Sequence, residues 1–222
     1  MRSIGYKIRV SNKVIEKSFA KFSRLGVFWT GGKDSTVLLD LIRRFKGKLD
    51  LPVFFIDHRM HFKETLNFVE KVRSLWNLNL VFLPMSKNIL VNFEGLSLQE
   101  KKEAVRILKI RCIQEALKKF SLQGIFVGIR WDEHKERAKE RFFSKREKHV
   151  RIHPILHFSE LDIWEYIRQF DTPYNPLYDK GYRSIGERDF TKPVLDPRFP
   201  ERAGREKEKE LIMGKLRKMG YF

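Results

Sequence analysis

Four short apolar runs alternate along the chain with stretches of helical periodicity, and this alternation limits the fold more than any other feature. The runs are Val27-Phe28-Trp29, "LPVFFID" at 51–57, "NLVFLPM" at 79–85 and "GIFVGIR" at 124–130. Each is continuous rather than alternating, as expected of strands buried on both faces. Between them, Val37, Leu38, Leu41, Ile42 and Phe45 recur at helical spacing. "FKETLNFVEKVRSLWN" sets Leu66, Val69, Val72 and Trp76 on one helical face, and a third helical stretch runs roughly from 97 to 119. Strands separated by helices predict an α/β fold, a parallel sheet covered on both faces. Ligands of such sheets sit at the carboxyl ends of the strands. Those ends carry Thr30-Gly31-Gly32-Lys33, Asp57 and Gly128-Ile129-Arg130.

The first of these ends, "TGGKDS" at 30–35, combines several features that favour an anion. A glycine pair at a helix start lets backbone N–H groups face a ligand with no Cβ in the way. The helix dipole adds positive potential, Lys33 adds a full charge, and Ser35 and Thr30 add hydroxyls. A phosphate chain is the natural partner. The Walker A pattern is absent, because Lys33 follows the glycines directly and Asp34 separates it from Ser35.

At 222 residues the chain suits one nucleotide-binding α/β domain over 1–170, with a loop and helix extension over 171–222 that completes the substrate site. No apolar run approaches the roughly 20 residues that span a bilayer. The basic N-terminus "MRSIGYKIRVSNK" is followed by no apolar signal region, which predicts a cytoplasmic protein. Lys and Arg total 46 against 28 Asp and Glu, a formal charge of +18. That excess favours acidic partners such as nucleotides or RNA; heavy Lys, Arg and Glu usage with one cysteine also fits a thermophile. The single cysteine, Cys112, excludes an internal disulfide and a cysteine-ligated zinc or iron–sulfur site built by this chain alone. Its neighbours Ile113, Ala116, Leu117 and Phe120 place it on an apolar helical face, as a packed thiol.

The segment 131–150, "WDEHKERAKERFFSKREKHV", is charge-dense and reads as a solvated helix or a mobile loop. Order resumes at "RIHPILHFSELDIWEYIRQF", where Ser159 and Asp162 form a capping-box pattern. Leu161, Ile163, Trp164, Ile167 and Phe170 are expected to make the buried side of that helix. The Pro-, Gly- and aromatic-rich "DTPYNPLYDKGYRSIGERDFTKPVLDP" reads as a long functional loop. The tail "ERAGREKEKELIMGKLRKMGYF" reads as a basic terminal helix. His58 and His61 near Asp57 are a weak match to metal-ligand spacing, so no protein-built metal cluster is expected.

"TGGKDS" after an apolar strand resembles the PP-loop of the ATP-pyrophosphatase (adenine nucleotide α-hydrolase-like) superfamily. From about residue 15 the chain resembles the phosphoadenosine phosphosulfate reductase family, which also holds the ATP sulfurylase small subunit. The matching stretches are "FIDHRMHFKET", "VGIRWDEHKERA", "HPILHFSELDIWEYI", "PYNPLYDKGYRSIG" and "ERAGR". The resemblance implies a five-stranded parallel sheet with the first strand central. Reductases of this pattern carry cysteines where this chain has Glu187 and Phe190, and end in a Cys-Gly segment absent here. Thiol chemistry needs a thiolate, so reductase activity is not expected. The ending "GKLRKMGYF" is similar to the ATP sulfurylase small subunit, and "NPLYDKGYRSIG" to FAD synthetases.

The resemblance implies cleavage of ATP between its α and β phosphates, with Mg2+ and no iron–sulfur cluster. Gly31, Gly32, Lys33, Ser35 and Thr30 would cradle the β and γ phosphates. Asp34 would cap the helix or help hold Mg2+, Asp57 would lie near the adenosine, Gly128 would belong to the nucleotide-binding residues, and Arg130 would contact the α-phosphate or sulfate. Arg137, Arg202 and Arg205 match positions expected to bind the anionic acceptor, work that suits the planar guanidinium. His153 also matches a family position. Sulfate assimilation through transfer of AMP to sulfate, with a GTPase-type large subunit as partner, is the leading expectation. FMN or an RNA base as acceptor, or a nucleotide-binding module without catalysis, are the alternatives.

Overall fold

The computed structural model describes residues 3–84, 93 and 95–218. Met85, the last residue of the third apolar run, and residues 219–222 of the tail lie outside them. The chain opens with helix α1 (Ile4–Lys21), an element no motif announced. Ser3 caps it, accepting from the Tyr6 N–H at 3.4 Å, and Ile4, Val14 and Ile15 form its buried face. There follow β1 (Leu25–Phe28), α2 (Lys33–Lys46), β2 (Val53–Asp57), α3 (Lys63–Leu75) and β3 (Leu80–Pro84). After them come α4 (Leu98–Lys119), β4 (Gly124–Val127), β5 (Phe143–Lys145), β6 (Val150–Ile152) and α5 (Glu160–Phe170).

The sheet order is β3-β2-β1-β4-β6-β5. Five strands are parallel with β1 in the middle, as the resemblance implied, and β5 adds an antiparallel sixth at the edge. The chain steps outward from β1 through β2 to β3, then crosses back to place β4 on the other side of β1. The carboxyl ends of β1 and β4 therefore flank a topological switch point, where open α/β sheets bind ligands.

Alternation along the strands divides the core between two faces. Val27, Val53, Phe55 and Phe126 pack with α1, α2, α3 and α5, whereas Phe28, Phe54 and Ile125 pack with Ile113 and Ala116 of α4. Cys112 is buried at 3% exposure beside Val105 and Leu108, as the periodicity predicted. The α2–α5 contact is polar at its centre. Asp40, fully buried, accepts from Arg43 at 2.6 Å, Arg44 at 2.7 Å, and the Tyr166 and Thr172 hydroxyls at 3.0 Å each.

Four expectations from the sequence are corrected. Segment 131–150 is neither a solvated helix nor a mobile loop: it forms 3-10 turns at Trp131–Glu133 and Arg137–Lys139, then the β5–β6 hairpin. Its charges pair within the segment, Glu133 with Arg137, Lys139 with Glu136 at 2.6 Å, and Arg146 with Glu140 at 2.8 Å. Helix α5 keeps its capping box, Ser159 with Asp162, but buries Ile163, Tyr166 and Ile167, and Leu161 is 69% exposed. Phe45 and Leu66 also turn outward, because each flanks the buried stripe of its helix instead of centring it. The tail forms two short helices, α6 (Lys207–Leu211) and α7 (Met213–Lys218), in place of one. No helix among the described residues is long and apolar enough to cross a membrane.

Candidate active site

The turn from β1 to α2 is built from its own hydroxyls. Gly31 adopts φ +73°, and a Cβ there would press on Thr65 Cγ2 at 3.1 Å and Val69 Cγ2 at 3.2 Å. Glycine meets both demands. Gly32 is the N-cap of α2 and offers no side-chain cap. Ser35 Oγ donates to the Gly32 carbonyl at 3.0 Å and lies 3.1 Å from Thr30 Oγ1. Asp34 does not cap the helix: it stands in the first turn, where its carboxylate binds Arg130 and Lys33. The Lys33 N–H donates to the Tyr178 hydroxyl at 2.7 Å. Burial pushes that hydroxyl's pKa up, against the opposing charge of Lys33.

The end of β4 closes on this turn. A Cβ on Gly128 would sit 2.7 Å from Ser35 Cα and 2.9 Å from Ser35 N, backbone atoms that have no room to yield. Gly128→Ala is expected to destabilise the fold by roughly 1–3 kcal/mol, as overpacking does, and to weaken nucleotide binding. Thermal unfolding with and without ATP checks both; an unchanged variant would mean that β4 and α2 are not packed this tightly.

Beyond Gly128, Arg130 is fully buried and gathers carboxylates. Its guanidinium binds Asp34, Glu201 and, at 2.9 Å, Asp132, while its N–H donates to Glu133 at 2.9 Å. Burial opposes its charge, yet Glu133, Glu201 and Asp132 raise its pKa. Glu201 also binds Lys33 Nζ, which donates to the Arg183 carbonyl at 3.1 Å. Burial disfavours the charged form of Glu133 too, but Arg137, Arg130 and Arg202 hold its carboxyl well below the usual carboxylate range. Oxygens of Asp34, Glu133 and Glu201 lie within 4.8 Å of one another, so the fold assembles a donor set that the sequence reading did not foresee.

One cleft of about 220 Å3 runs along these groups, lined among others by Thr30, Gly32, Asp34, Ser35 and Gly128. Arg137 from one segment and Arg202 and Arg205 from another, distant one all reach its wall. Arg137 pairs with Glu133, Arg202 with Glu210 at 2.6 Å, and Arg205 stands 3.8 Å from Glu187. Asp57 is not among the lining residues; it accepts from the Arg59 N–H at 3.0 Å. His153 is buried behind the cleft beside Glu140 at 3.7 Å, and burial lowers its pKa.

His58 and His61 stack at 3.7 Å, and the His61 ring meets the Ile56 carbonyl at 2.9 Å. Burial brings the His61 pKa down to about 4, only partly offset by that carbonyl. The unfolded imidazole titrates near 6.5, so between pH 6.5 and 4 the unfolded chain binds the extra proton and stability falls as pH drops. One such group contributes a slope of about 1.4 kcal/mol per pH unit. His149, lowered by burial to about 4, adds to the same limb. His61→Phe is expected to flatten, not abolish, the acid limb of a denaturant-derived stability profile. An unaltered limb would show that His61 is protonated in the fold.

Residues the motif reading passed over complete the site: Tyr178 within "NPLYDKGY", Glu201 within "ERAGR", Glu133, and Lys109 and Arg151 on the cleft wall. The two quoted motifs carried the signal for Tyr178 and Glu201, but nothing local said which side chain would reach the glycine turn.

The phosphoadenosine phosphosulfate reductase domain, as a family model, matches residues 24–193. Sulfate adenylyltransferase subunit 2 of Shewanella pealeana is 30% identical over 96% of this chain and 78% of its own length. The subunit 2 of Psychromonas ingrahamii is 29% identical with the same coverage, 96% and 78%. Among solved structures, the phosphoadenylyl-sulfate reductase of Candida auris, a phosphate complex, matches with TM-score 0.70 and 22% identity, over 86% of this chain and 96% of that one. FMN adenylyltransferase of Candida glabrata matches with TM-score 0.69 and 24% identity, over 86% of this chain and 63% of that one. At such identities the structures speak for the fold. The family match spans most of the chain and takes in the glycine turn, Gly128, Arg130 and Tyr178, and on it this chain belongs to the phosphoadenosine phosphosulfate reductase domain family.

Proposed function

We propose that the protein is an adenylyltransferase that moves AMP from ATP to sulfate, releasing pyrophosphate and forming adenylylsulfate. The observation that carries this reading is the glycine turn at the switch point, with Lys33 and Arg130 converging on it. The names of the relatives at 29 and 30% identity, sulfate adenylyltransferase subunit 2, point the same way. Reductive chemistry lacks its nucleophile: Cys112 is the chain's one cysteine, and burial pushes its thiol up to about 11.

Adenylyl transfer asks for in-line positioning and for positive charge where negative charge accumulates, with little covalent help. In this reading the N–H groups of Gly31 and Gly32, with Lys33, Ser35 and Thr30, hold the β and γ phosphates. Arg130 holds the α-phosphate oxygens, and Arg137, Arg202 and Arg205, from the 171–222 extension and the segment before it, orient the acceptor oxyanion. Asp34, Glu133 and Glu201 fit a divalent cation by donor type and spacing. Bound there, Mg2+ would supply charge neutralisation on the phosphates. Sulfate is a poor nucleophile and adenylylsulfate is high in energy, so a second, GTPase-type subunit belongs to the proposal. The designation of the relatives as a subunit supports it.

The test is sulfate-dependent exchange of labelled pyrophosphate into ATP, assayed alone and with cell extract supplying the partner. Exchange that requires sulfate and vanishes in Lys33→Ala is the expected result. Exchange driven by FMN or RNA and indifferent to sulfate would replace the acceptor, and none under any condition would end the transferase reading.

A further inference from the structure

Glu201 stands in an unusual place for a carboxylate. One oxygen binds Lys33 Nζ and the other binds Arg130 Nη2, so it spans the two cations best placed for a phosphate chain. It reaches them across 168 and 71 residues of sequence. Arg202 and Arg183 also feel its charge. The Tyr178 hydroxyl accepts from the Lys33 N–H at 2.7 Å, so a backbone donor of the turn is likewise satisfied from within the protein. Side-chain oxygens of the chain itself thus take the positions that oxyanion oxygens on these groups would take.

The segment carrying Glu201 is held by polar contacts, with the neighbouring Arg202 paired to Glu210 at 2.6 Å. Leu195 is 82% and Phe199 58% exposed, so neither contributes to a core. Its anchors are polar: Arg183 donates to the Phe199 carbonyl at 2.7 Å, and the Lys192 N–H to the Gly204 carbonyl at 2.9 Å. Releasing Glu201 therefore opens no apolar core, and such segments open at low free-energy cost.

We propose that Glu201 is a specificity-determining residue: its carboxylate competes for Lys33 and Arg130, excludes single tetrahedral oxyanions from them, and yields to a polyphosphate. This rests on the adenylyltransferase reading, because there the acceptor is itself a tetrahedral dianion that matches a phosphate group in shape and charge. Without a competitor, sulfate would bind at the phosphate cradle and block ATP. An internal carboxylate outcompetes a single sulfate, which gains few contacts. A di- or triphosphate displaces it, because it engages Lys33, Arg130 and the glycine turn together. A ligand pays for the fraction of molecules in which Glu201 holds the site, so its apparent affinity falls by that fraction.

Magnesium-free calorimetry with inorganic sulfate and with pyrophosphate, on the full chain and on Glu201→Gln, tests this directly. Glu201→Gln is expected to bind sulfate roughly tenfold tighter than wild type or more. Sulfate should then compete with pyrophosphate in the variant and not in wild type. Equal or weaker sulfate binding by the folded variant overturns the proposal. Wild type gives a second test that needs no variant. Pyrophosphate should speed tryptic cleavage at Arg198, whose side chain is 88% exposed just before Glu201, and unchanged or slower cleavage overturns the proposal. Both readouts are independent of turnover. Loss of sulfate-dependent exchange would sink the transferase reading and leave these binding results standing; the reverse outcome would remove only the role of Glu201.

Discussion

Arg130→Ala is expected to lower pyrophosphate exchange by about 10²–10³-fold, the range for removing a donor aimed at developing charge. It is also expected to destabilise the fold by about 3–5 kcal/mol, the cost of breaking a buried ion pair from one side. Both effects come from one geometry. The guanidinium is fully buried and serves Asp34, Asp132 and Glu201 at once. Without it, three acids face one another with Lys33 as the nearest remaining counter-charge for two of them. Arg130→Lys separates the effects: an ammonium restores part of the charge and hence part of the stability, but one nitrogen cannot serve three acids in a planar fork. The rate should therefore stay low in a lysine variant that unfolds close to wild type. A folded Arg130→Lys protein with undiminished exchange would remove Arg130 from the reaction.

The second large effect lies away from the cleft. Asp40→Ala removes the acceptor shared by Arg43, Arg44, Tyr166 and Thr172, leaving two hydroxyls without a partner at the α2–α5 interface. An unsatisfied buried polar group costs about 1–3 kcal/mol, and two of them with two displaced guanidinium groups make about 3–5 kcal/mol the expected loss. For a chain of this size that is a fall in Tm of roughly 10–15 °C. Tyr166→Phe removes one donor and is expected to cost only about 1 kcal/mol. Equal losses from the two variants would mean that the tyrosine, not the carboxylate, organises the interface.

Helices α2 and α4 and four of the parallel strands were legible from the sequence, because a strand buried on both faces and a helix buried on one write their periods into a short window. The capping box at Ser159 is equally local, its two partners three positions apart. What misled was composition. Residues 131–150 look solvated because they are charged, yet the Arg137 and Glu133 side chains are largely buried because each neutralises the other. Leu161 looks like core because it is apolar, yet Ile163 and Tyr166 centre the buried face and Leu161 stands off it. Pairing and neighbouring faces decide such cases, and neither is a property of one residue.

By itself, the sequence determined the order of β1 to β4 and the helices between them, the glycine turn at a helix start, and Arg130 at the end of an apolar run. Each follows from the backbone freedom of glycine or the period of a local element. Only the tertiary structure decided that β1 and β4 are neighbours, so that Gly128 closes on Ser35 and the switch point falls at the glycine turn. It alone brought the Tyr178 hydroxyl to Lys33 across 145 residues and the Glu201 carboxylate across 168. Those contacts depend on how separate elements pack and on which buried charges must find partners, and that requirement is met in space, by whichever segment the fold brings near.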